Sequence, residues 1–283
     1  MNSRLLSEKL VASFKNYLNQ EEKSMATINK YICDVKKFYL YAGYQEISKS
    51  LVISYKKELQ KKYKTSSVNS MLVALNRFFE FLDWPDLKVK ELRIQKRVFS
   101  KEEEELTQEE YERLLEAAKS KNNEKLVRLM QTICSTGIRV SEHKYVTVES
   151  LKLGYLSISN KGKTREIYFP NELKKLLVSY CKRNGIKTGS IFITKNGNPL
   201  DRSNIWKMMK TLCIDAKVDS KKVYPHNLRH LFAITYYSLE KDIVHLADIL
   251  GHSSIETTRS YIKTNSKECQ KIFNQMNLVK LNM

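Results

Sequence analysis

Residues 225–264 read PHNLRHLFAITYYSLEKDIVHLADILGHSSIETTRSYIKT, and this stretch determines how the second half of the chain is interpreted. It holds four of the protein's five histidines. Pro225 suits the first turn of a helix, because the N–H that it lacks would be unpaired there. Gly251 is a natural terminator after an apolar helical run. We therefore predict helices whose ends carry His226 and His252.

The composition is that of a globular protein rich in helices. Apolar residues make up 42% of the 283 residues and charged residues 29%, which is unlike a disordered chain. The length suits two domains, each able to bury its own core. Since only 8 Gly and 4 Pro interrupt the sequence, we expect long helices.

The chain is strongly basic, with a formal net charge of +19 and a pI near 9.5. This charge indicates an extended anionic partner such as nucleic acid, although on charge alone a merely soluble lysine-rich surface stays open. No apolar run approaches the ~20 residues that span a membrane. The first residues also lack the continuous apolar segment of a signal peptide. We therefore expect a cytoplasmic protein without a membrane partner.

Helical periodicity divides the chain into two domains. Residues 1–85 carry apolar stripes at three- and four-residue steps, which predict a helical bundle with a basic exterior. Residues 86–105 lose this periodicity and end in an acidic run, as interdomain linkers do. The capping-box pair Thr107 and Glu110 then restarts a helix, so the second domain is predicted over 106–283. Because both halves are basic, we hypothesise a C-shaped clamp around a DNA duplex.

Two alternating runs in the second domain predict a β-hairpin. Residues 155–159 and 165–169 alternate like strands, and the turn between them carries Lys161 and Lys163 on either side of Gly162. We therefore expect a mainly α fold with a small β-sheet. The hairpin tip would present ammonium groups.

The reactive residue types suit one reaction at phosphorus. A phosphodiester's transition state spreads negative charge over its non-bridging oxygens, which guanidinium and imidazole N–H groups stabilise. A tyrosine hydroxyl, with a pKa near ~10, must lose its proton to a base as it attacks. The leaving alkoxide needs an acid, and a lysine can serve. The predicted catalytic residues are Arg139, Lys161, His226, Arg229, His252 and Tyr261.

Each of these residues also has a simpler explanation. His226 and His230 have the spacing of helical zinc ligands, but Asn227 stands where such sites carry a glutamate. Arg139 and Glu142 suit an ordinary surface pair worth only about 0.2–0.5 kcal/mol. The cysteines include no Cys-x-x-Cys pair, so they offer no metal site either. We therefore predict no metal.

Taken in order, these residues resemble the motifs of the tyrosine recombinases, the phage integrase superfamily, and the compact size resembles its Xer-like members. The motifs are Thr136-Gly-x-Arg139-x-Ser-Glu142, Lys161-Gly-x-Thr-Arg165, His226-x-Leu-Arg229-His230, Leu250-Gly-His252-Ser and Thr257-Thr-x-x-Tyr261. The N-terminal bundle is similar to the family's SAM-like core-binding domain. Five motifs in order are far more specific than any one alone.

The resemblance implies a core-binding domain, an α/β catalytic domain, and site-specific strand exchange on double-stranded DNA without metal, ATP or another cofactor. Tyr261 would form a 3′-phosphotyrosyl link. A homotetramer would act on two duplexes with inverted-repeat core sites and pass through a Holliday junction. The tail over 267–283 would dock onto a neighbouring protomer for protomer exchange, or pack on its own domain. Such an enzyme is expected at a bacterial-type nucleoid.

The sequence also suggests where DNA is contacted. Polar faces of the fourth helix and of a helix after Asp201 are expected to enter major grooves. The predicted DNA-contacting residues are Lys64, Asn69, Arg77, Lys163, Arg165, Arg202, Ser203, Asn204 and Lys207. Two alternatives stay open: a type IB topoisomerase that nicks and reseals one strand, and a DNA-binding regulator without catalysis.

Two positions depart from the usual motifs. His143 stands where relatives usually carry an aliphatic residue, and Asn160 precedes Lys161 where glycine is common. Neither difference removes a predicted catalytic group. The change at Asn160 bears on how far the hairpin lysine reaches.

Overall fold

The computed structural model describes residues 4–94, 105–160, 163–262 and 274–275, and these are mainly helical with a small antiparallel sheet. The predicted fold class is therefore confirmed. The chain divides into two compact units, Met1–Lys96 and Arg97–Met283, each of which is described by itself. Among the described residues, no helix is both long enough and apolar enough to cross a membrane.

The first unit is a helical bundle with an aromatic-rich core. Its elements are α1 (Glu8–Gln20), α2 (Met25–Ala42), α3 (Lys49–Lys62), α4 (Thr65–Phe81) and a 3₁₀ turn at Pro85–Leu87. Ser7, Ser24 and Ser48 precede the first three helices, and each hydroxyl accepts a hydrogen bond from a first-turn backbone N–H. Phe38 and Phe78 are fully buried between the helices. The predicted apolar stripes form this core.

Residues beyond the last helix stay on the first unit. Val89 is buried in its core. The Asn76 amide donates to the Val89 carbonyl at 2.8 Å and accepts from the Val89 N–H at 2.9 Å. The Asn69 amide makes the same two bonds with Leu92, both at 2.8 Å. Two asparagine side chains of α4 thus replace the missing backbone partners of an irregular segment.

These contacts extend the first unit past the predicted boundary at residue 85. The predicted linker, 86–105, belongs to this unit over 86–94, and 95–104 lie outside the described residues. Asn69 was predicted to contact DNA. It is buried and both ends of its amide are bonded to Leu92, a placement that does not support that prediction.

The second unit surrounds a larger apolar core. Its elements are α5 (Gln108–Ser120), α6 (Glu124–Thr136), a 3₁₀ helix (Val140–Tyr145), α7 (Val148–Leu153), β1 (Tyr155–Asn160), β2 (Lys163–Tyr168), α8 (Asn171–Arg183), α9 (Arg202–Lys210), α10 (Pro225–Glu240), α11 (Ile243–Leu250) and α12 (Ile255–Arg259). The predicted capping box begins α5, since the Thr107 hydroxyl accepts from the Glu110 N–H at 3.2 Å and the Glu110 carboxylate accepts from the Thr107 N–H at 3.0 Å.

The predicted β-hairpin is present. β1 and β2 pair in antiparallel fashion, and their register places Asn160 opposite Lys163 beside the turn. Leu156 and Ile158 are buried on one face of β1, as the alternation of apolar residues requires. Lys161 lies outside the described residues.

We predict that Asn69→Ala lowers the free energy of unfolding of the first unit by about 1–3 kcal/mol, because the partly buried N–H and C=O of Leu92 lose their partners. The chain has 2 tryptophans, Trp84 in the first unit and Trp206 in the second. Urea unfolding in a Trp206→Phe background, followed by Trp84 fluorescence, reports on the first unit alone.

The matched control is Asn29→Ala, which removes an exposed asparagine from α2. We expect this control to change the free energy of unfolding by less than about 0.5 kcal/mol. An Asn69→Ala protein as stable as the control would contradict the role given to the asparagine side chains.

Candidate active site

Helix ends of the second unit gather five of the six predicted catalytic residues. They are Arg139 at the start of the 3₁₀ helix, His226 and Arg229 in the first turns of α10, His252 after α11, and Tyr261 after α12. Lys161 lies outside the described residues. Residues far apart in sequence are therefore joined by tertiary contacts.

Two glycines with left-handed backbones shape the site. Gly137 (φ 64°) ends α6 and Gly251 (φ 62°) ends α11, a conformation that glycine adopts without strain. The Gly137 carbonyl accepts from Arg229, and the Gly251 carbonyl accepts from Arg139. A Cβ atom at Gly251 would lie only 2.5 Å from the Arg165 guanidinium. Glycine at position 251 thus allows Arg165 to approach the backbone closely.

Glu142 holds two of these arginines. Its buried carboxylate accepts from the Arg139 backbone N–H at 2.7 Å and from Arg139 Nη1 at 3.0 Å. It also accepts from Arg165 Nη2 at 2.7 Å. These charge-assisted bonds fix both guanidinium planes.

Arg165 was predicted to contact DNA, but its surroundings indicate another task. The side chain is largely buried and is paired with Glu142. Burial lowers the pKa of Arg165, and the nearby Glu142 carboxylate opposes this shift. The placement does not support a direct DNA contact; it indicates that Arg165 supports the Glu142 cluster.

The Arg229 guanidinium is the most deeply buried charge in the site, with 1% of the residue exposed. Nη1 donates to the Gly137 carbonyl at 2.6 Å, and Nη2 donates to the Leu250 carbonyl at 2.7 Å. Burial and then the positive charge of Arg139 lower the pKa of Arg229 to about 10. The group therefore stays protonated at neutral pH and links the ends of α6 and α11 to α10.

His252 is held through both ring nitrogens. Nε2 lies 3.0 Å from Arg229 Nη2, and Nδ1 lies 2.8 Å from the hydroxyl oxygen of Thr258. A guanidinium can only donate, so Nε2 accepts and Nδ1 carries the proton. Burial, followed by the charges of Arg229 and Arg139, lowers the pKa of His252 to about 4. The ring is thus neutral at neutral pH.

Tyr261 lies among three imidazoles and is 8% exposed. Its hydroxyl is 3.0 Å from His226 Nε2, and its backbone carbonyl accepts from His230 Nε2 at 2.8 Å. Its ring stacks on His252, with centroids 5.3 Å apart and planes 13° apart. The two α10 histidines that have zinc-ligand spacing therefore contact the side-chain hydroxyl and the backbone carbonyl of one tyrosine.

His226 is placed to act as a base toward Tyr261. Burial is the main cause that lowers its pKa, and the positive charge of Arg229 adds to the effect. A neutral imidazole offers a lone pair, and the phenol is within hydrogen-bond distance of it. The geometry therefore permits proton transfer from Tyr261 to His226.

A cleft of about 660 Å³ opens beside these residues. The polar and charged side chains that line it include Arg139, Arg202, Ser203, Lys207, His226 and Arg229. Three predicted DNA-contacting residues therefore share a cleft with three predicted catalytic residues. Its positive lining suits an anionic ligand.

The remaining predicted DNA-contacting residues differ in their surroundings. Lys64, just before α4, and Asn204, on α9, are exposed to solvent. Arg77 forms ion pairs with two carboxylates at 2.6 and 2.9 Å and lies over the Tyr17 ring. The side chain of Lys163 is outside the described part of the structure. Lys64 and Asn204 are thus accessible to a partner, whereas Arg77 would first have to exchange its ion pairs.

Sequence reasoning assigned no role to His230 or Thr258. Both lie inside the motifs, and their spacing from Tyr261 and His252 alone does not indicate which atoms they contact. Glu142 was identified only as a surface partner of Arg139, and the structure shows a buried carboxylate shared with Arg165.

The described residues contain no group of three or more His, Cys, Asp and Glu side chains arranged to hold a metal ion. The histidines of the site are instead occupied by Tyr261, Arg229 and Thr258. The zinc alternative has no support from these contacts.

Comparison with known proteins covers both units. Residues 104–268 match the family described as Phage integrase family, and residues 11–85 match Phage integrase, N-terminal SAM-like domain. Tyrosine recombinase XerA of Pyrococcus furiosus is 29% identical over 289 residues, which cover 99% of this chain and 98% of that protein.

Two solved structures share the fold. XerH recombinase in a post-cleavage complex with a palindromic difH substrate has a TM-score of 0.72 at 21% identity, covering 97% of this chain and 90% of that one. A lambda integrase tetramer bound to a Holliday junction has a TM-score of 0.74 at 18% identity, covering 92% and 78%. At these identities the likeness concerns the fold alone.

We predict that His252 makes the second unit less stable in acid. Its pKa is about 4 in the folded chain and 6.5 ordinarily. Between pH 6.5 and pH 4, His252 is therefore protonated in the unfolded chain and neutral in the folded chain. The stability that His252 contributes is therefore present above pH 6.5 and is lost as the pH falls toward 4.

The prediction is checked by urea unfolding followed by Trp206 fluorescence across this pH range. His252→Asn should lose less stability on acidification than the wild type, whereas Ser253→Ala, an exposed neighbour, should match the wild type. Identical pH profiles for His252→Asn and the wild type would refute it.

Proposed function

Because the chain belongs to the phage integrase family and is a site-specific tyrosine recombinase that acts on DNA, we propose that Tyr261 is its nucleophile. The observation that carries this proposal is the Tyr261 hydroxyl 3.0 Å from His226 Nε2, beside a guanidinium-lined cleft. Neither the topoisomerase nor the regulator alternative is favoured by these matches.

In the first step Tyr261 Oη attacks the scissile phosphorus and gives its proton to His226 Nε2. The bond from phosphorus to the 5′-oxygen breaks, which leaves a 3′-phosphotyrosyl link and a free 5′-hydroxyl after protonation of that oxygen. Because the phosphoester is kept in the covalent bond, a 5′-hydroxyl of the partner strand can attack it and reverse the chemistry. Strand exchange thus needs no ATP, metal or other cofactor.

Arg139, Arg229 and His252 would stabilise the charge that develops on the non-bridging oxygens. The guanidiniums are held by Glu142 and by backbone carbonyls, so they need little reorganisation when the transition state forms. Burial strengthens their effect because charges interact more strongly away from water. Removal of one such donor typically lowers a rate by about 10²–10³-fold.

We assign Lys161 as the acid that protonates the leaving 5′-oxygen. Lys161 follows β1 and precedes β2 in the sequence, which supports this role for a hairpin lysine. Its ammonium group has three protons to donate and a long flexible stem. This assignment rests on the motif and on the hairpin, since Lys161 is outside the described residues.

For DNA binding we propose two surfaces. In the second unit, Arg202, Ser203 and Lys207 extend the catalytic cleft along α9, where they would contact phosphates next to the scissile one. In the first unit, the exposed Lys64, just before α4, is the proposed contact. We propose that both basic surfaces contact DNA.

The assembly proposed is a homotetramer on two duplexes that carry inverted-repeat core sites, with a Holliday junction between the two rounds of strand exchange. The lambda integrase tetramer on a Holliday junction and XerH on a palindromic substrate support it. The tail over 267–283, of which only 274–275 are among the described residues, would link neighbouring protomers. As an enzyme acting on DNA, the protein is proposed to work in the cytoplasm at the nucleoid.

We predict that wild-type protein forms a covalent adduct with nicked duplexes made from palindromic sequences that flank its own gene, and that the adduct survives SDS and EDTA. Tyr261→Phe should bind the same duplexes and form no adduct, because the nucleophilic oxygen is absent. Gel electrophoresis of labelled DNA measures both results.

The matched control is Tyr237→Phe, since Tyr237 packs in the same small cluster as Tyr261. It should still form the adduct. An adduct with Tyr261→Phe, or dependence of the wild-type adduct on a divalent metal, would refute the assignment.

A second prediction concerns the cleft. Arg202→Gln combined with Lys207→Gln should weaken DNA binding and reduce the slope of log affinity against log salt by about 2, since each phosphate contact contributes roughly 0.9. The same double change at Lys174 and Lys182, which line a different surface pocket on α8, should alter the slope less. Equal slopes for the two double variants would remove α9 from the DNA-binding surface.

A further inference from the structure

The contact between His252 and Thr258 has a consequence for the proposed reaction. Thr258 is fully buried, and its hydroxyl oxygen lies 2.8 Å from His252 Nδ1. It belongs to α12, one helical turn before Tyr261. The stabilising imidazole is therefore hydrogen-bonded to the helix that directly precedes the nucleophile.

In the free site His252 has the wrong nitrogen protonated for catalysis. Arg229 Nη2 donates to Nε2, so the proton sits on Nδ1. To stabilise a non-bridging phosphate oxygen, Nε2 must donate to it. Burial and neighbouring arginines disfavour a doubly protonated ring. A neutral ring can donate from Nε2 only if its proton changes place.

Resting on the proposed function, we propose that Thr258 is a positioning residue whose hydroxyl permits this change. It accepts from Nδ1 in the free site, and it donates to Nδ1 when a phosphate oxygen replaces Arg229 Nη2 at Nε2. A hydroxyl can do both because it carries one proton and two lone pairs. A backbone carbonyl, the usual partner of a fixed imidazole, can only accept.

The proton count balances. The ring loses one proton at Nδ1 and gains one at Nε2 by exchange with water, while the Thr258 hydroxyl rotates. The net charge of His252 does not change, so the site avoids a further buried positive charge beside Arg229 and Arg139. The guanidinium released from Nε2 is then available to the phosphate.

The same contact ties His252 to the position of Tyr261. If α12 leaves the site, His252 Nδ1 loses Thr258, its hydrogen-bond partner among the described residues. Thr258 then no longer fixes the orientation of the ring. A site that lacks the docked tyrosine would therefore also have a poorly oriented stabiliser. The full set of charge-stabilising groups would then be in place only while the tyrosine is docked.

The first test locates the His252 proton by two-bond ¹H–¹⁵N NMR on the full chain labelled with ¹⁵N-histidine. The free wild type and Thr258→Ser should both carry the proton on Nδ1. In a complex of Tyr261→Phe with the duplex cleaved by the wild type, the proton should be on Nε2. An Nε2 proton in the free protein, or an unchanged spectrum in the complex, would overturn the proposal.

The second test separates orientation from folding. Thr258→Val keeps the shape of the side chain and removes the hydroxyl, so we expect the cleavage rate to fall by about 10- to 100-fold, by analogy with residues that orient metal-binding imidazoles, with DNA affinity unchanged. Thr258→Ser should recover most of the rate. Thr235→Val, at an exposed threonine of α10 outside the motifs, should cleave like the wild type.

These outcomes also separate this inference from the proposed function. Covalent adduct formation by the wild type with no rate loss in Thr258→Val would reject only the role of Thr258. Absence of any adduct from the wild type, with the free-protein spectra as expected, would reject the recombinase reaction and the proton relocation that depends on it. If Thr258→Val lowers the cleavage rate and Thr258→Ser lowers it equally, Thr258 has a structural role only.

Discussion

The buried guanidinium of Arg229 is the constraint on which the rest of the site depends. Its hydrogen bonds go to two carbonyls and one imidazole, all of them neutral, and within the described residues its Nε has no partner. A buried charge without a counter-ion is costly. The nearby carboxylate of Glu142 is already bonded to Arg139 and Arg165. An entering phosphate would supply the missing negative charge.

That excess of positive charge also controls the histidines. Burial and the adjacent arginines lower the pKa values of His226 and His252, so both rings are neutral and each has one donor and one acceptor. In the proposed reaction His226 accepts the proton of Tyr261, and His252 Nε2 changes from hydrogen-bond acceptor to donor when a phosphate oxygen arrives. The arginines proposed to stabilise the transition state thus also keep the proposed base unprotonated.

The tyrosine is positioned by backbone as well as by side-chain contacts. His226 and His230 stand four residues apart on α10, so they lie on one face of the helix, and they contact the hydroxyl and the carbonyl of the same residue. Thr258 adds a third contact through His252. A short helix with few core residues of its own is held in this way against the rest of the second unit.

The sequence by itself determined the helical class, the hairpin, the capping box at Thr107 and the five motifs, because these depend on local periodicity, turn chemistry and residue type. Only the tertiary structure decided which partners the side chains have. It assigned Glu142 to two arginines, Arg165 to Glu142 rather than to solvent, Asn69 to a backbone segment, and Thr258 to His252. Such pairings join residues that are distant in sequence or buried together, and neither spacing nor composition records which buried polar atoms face each other.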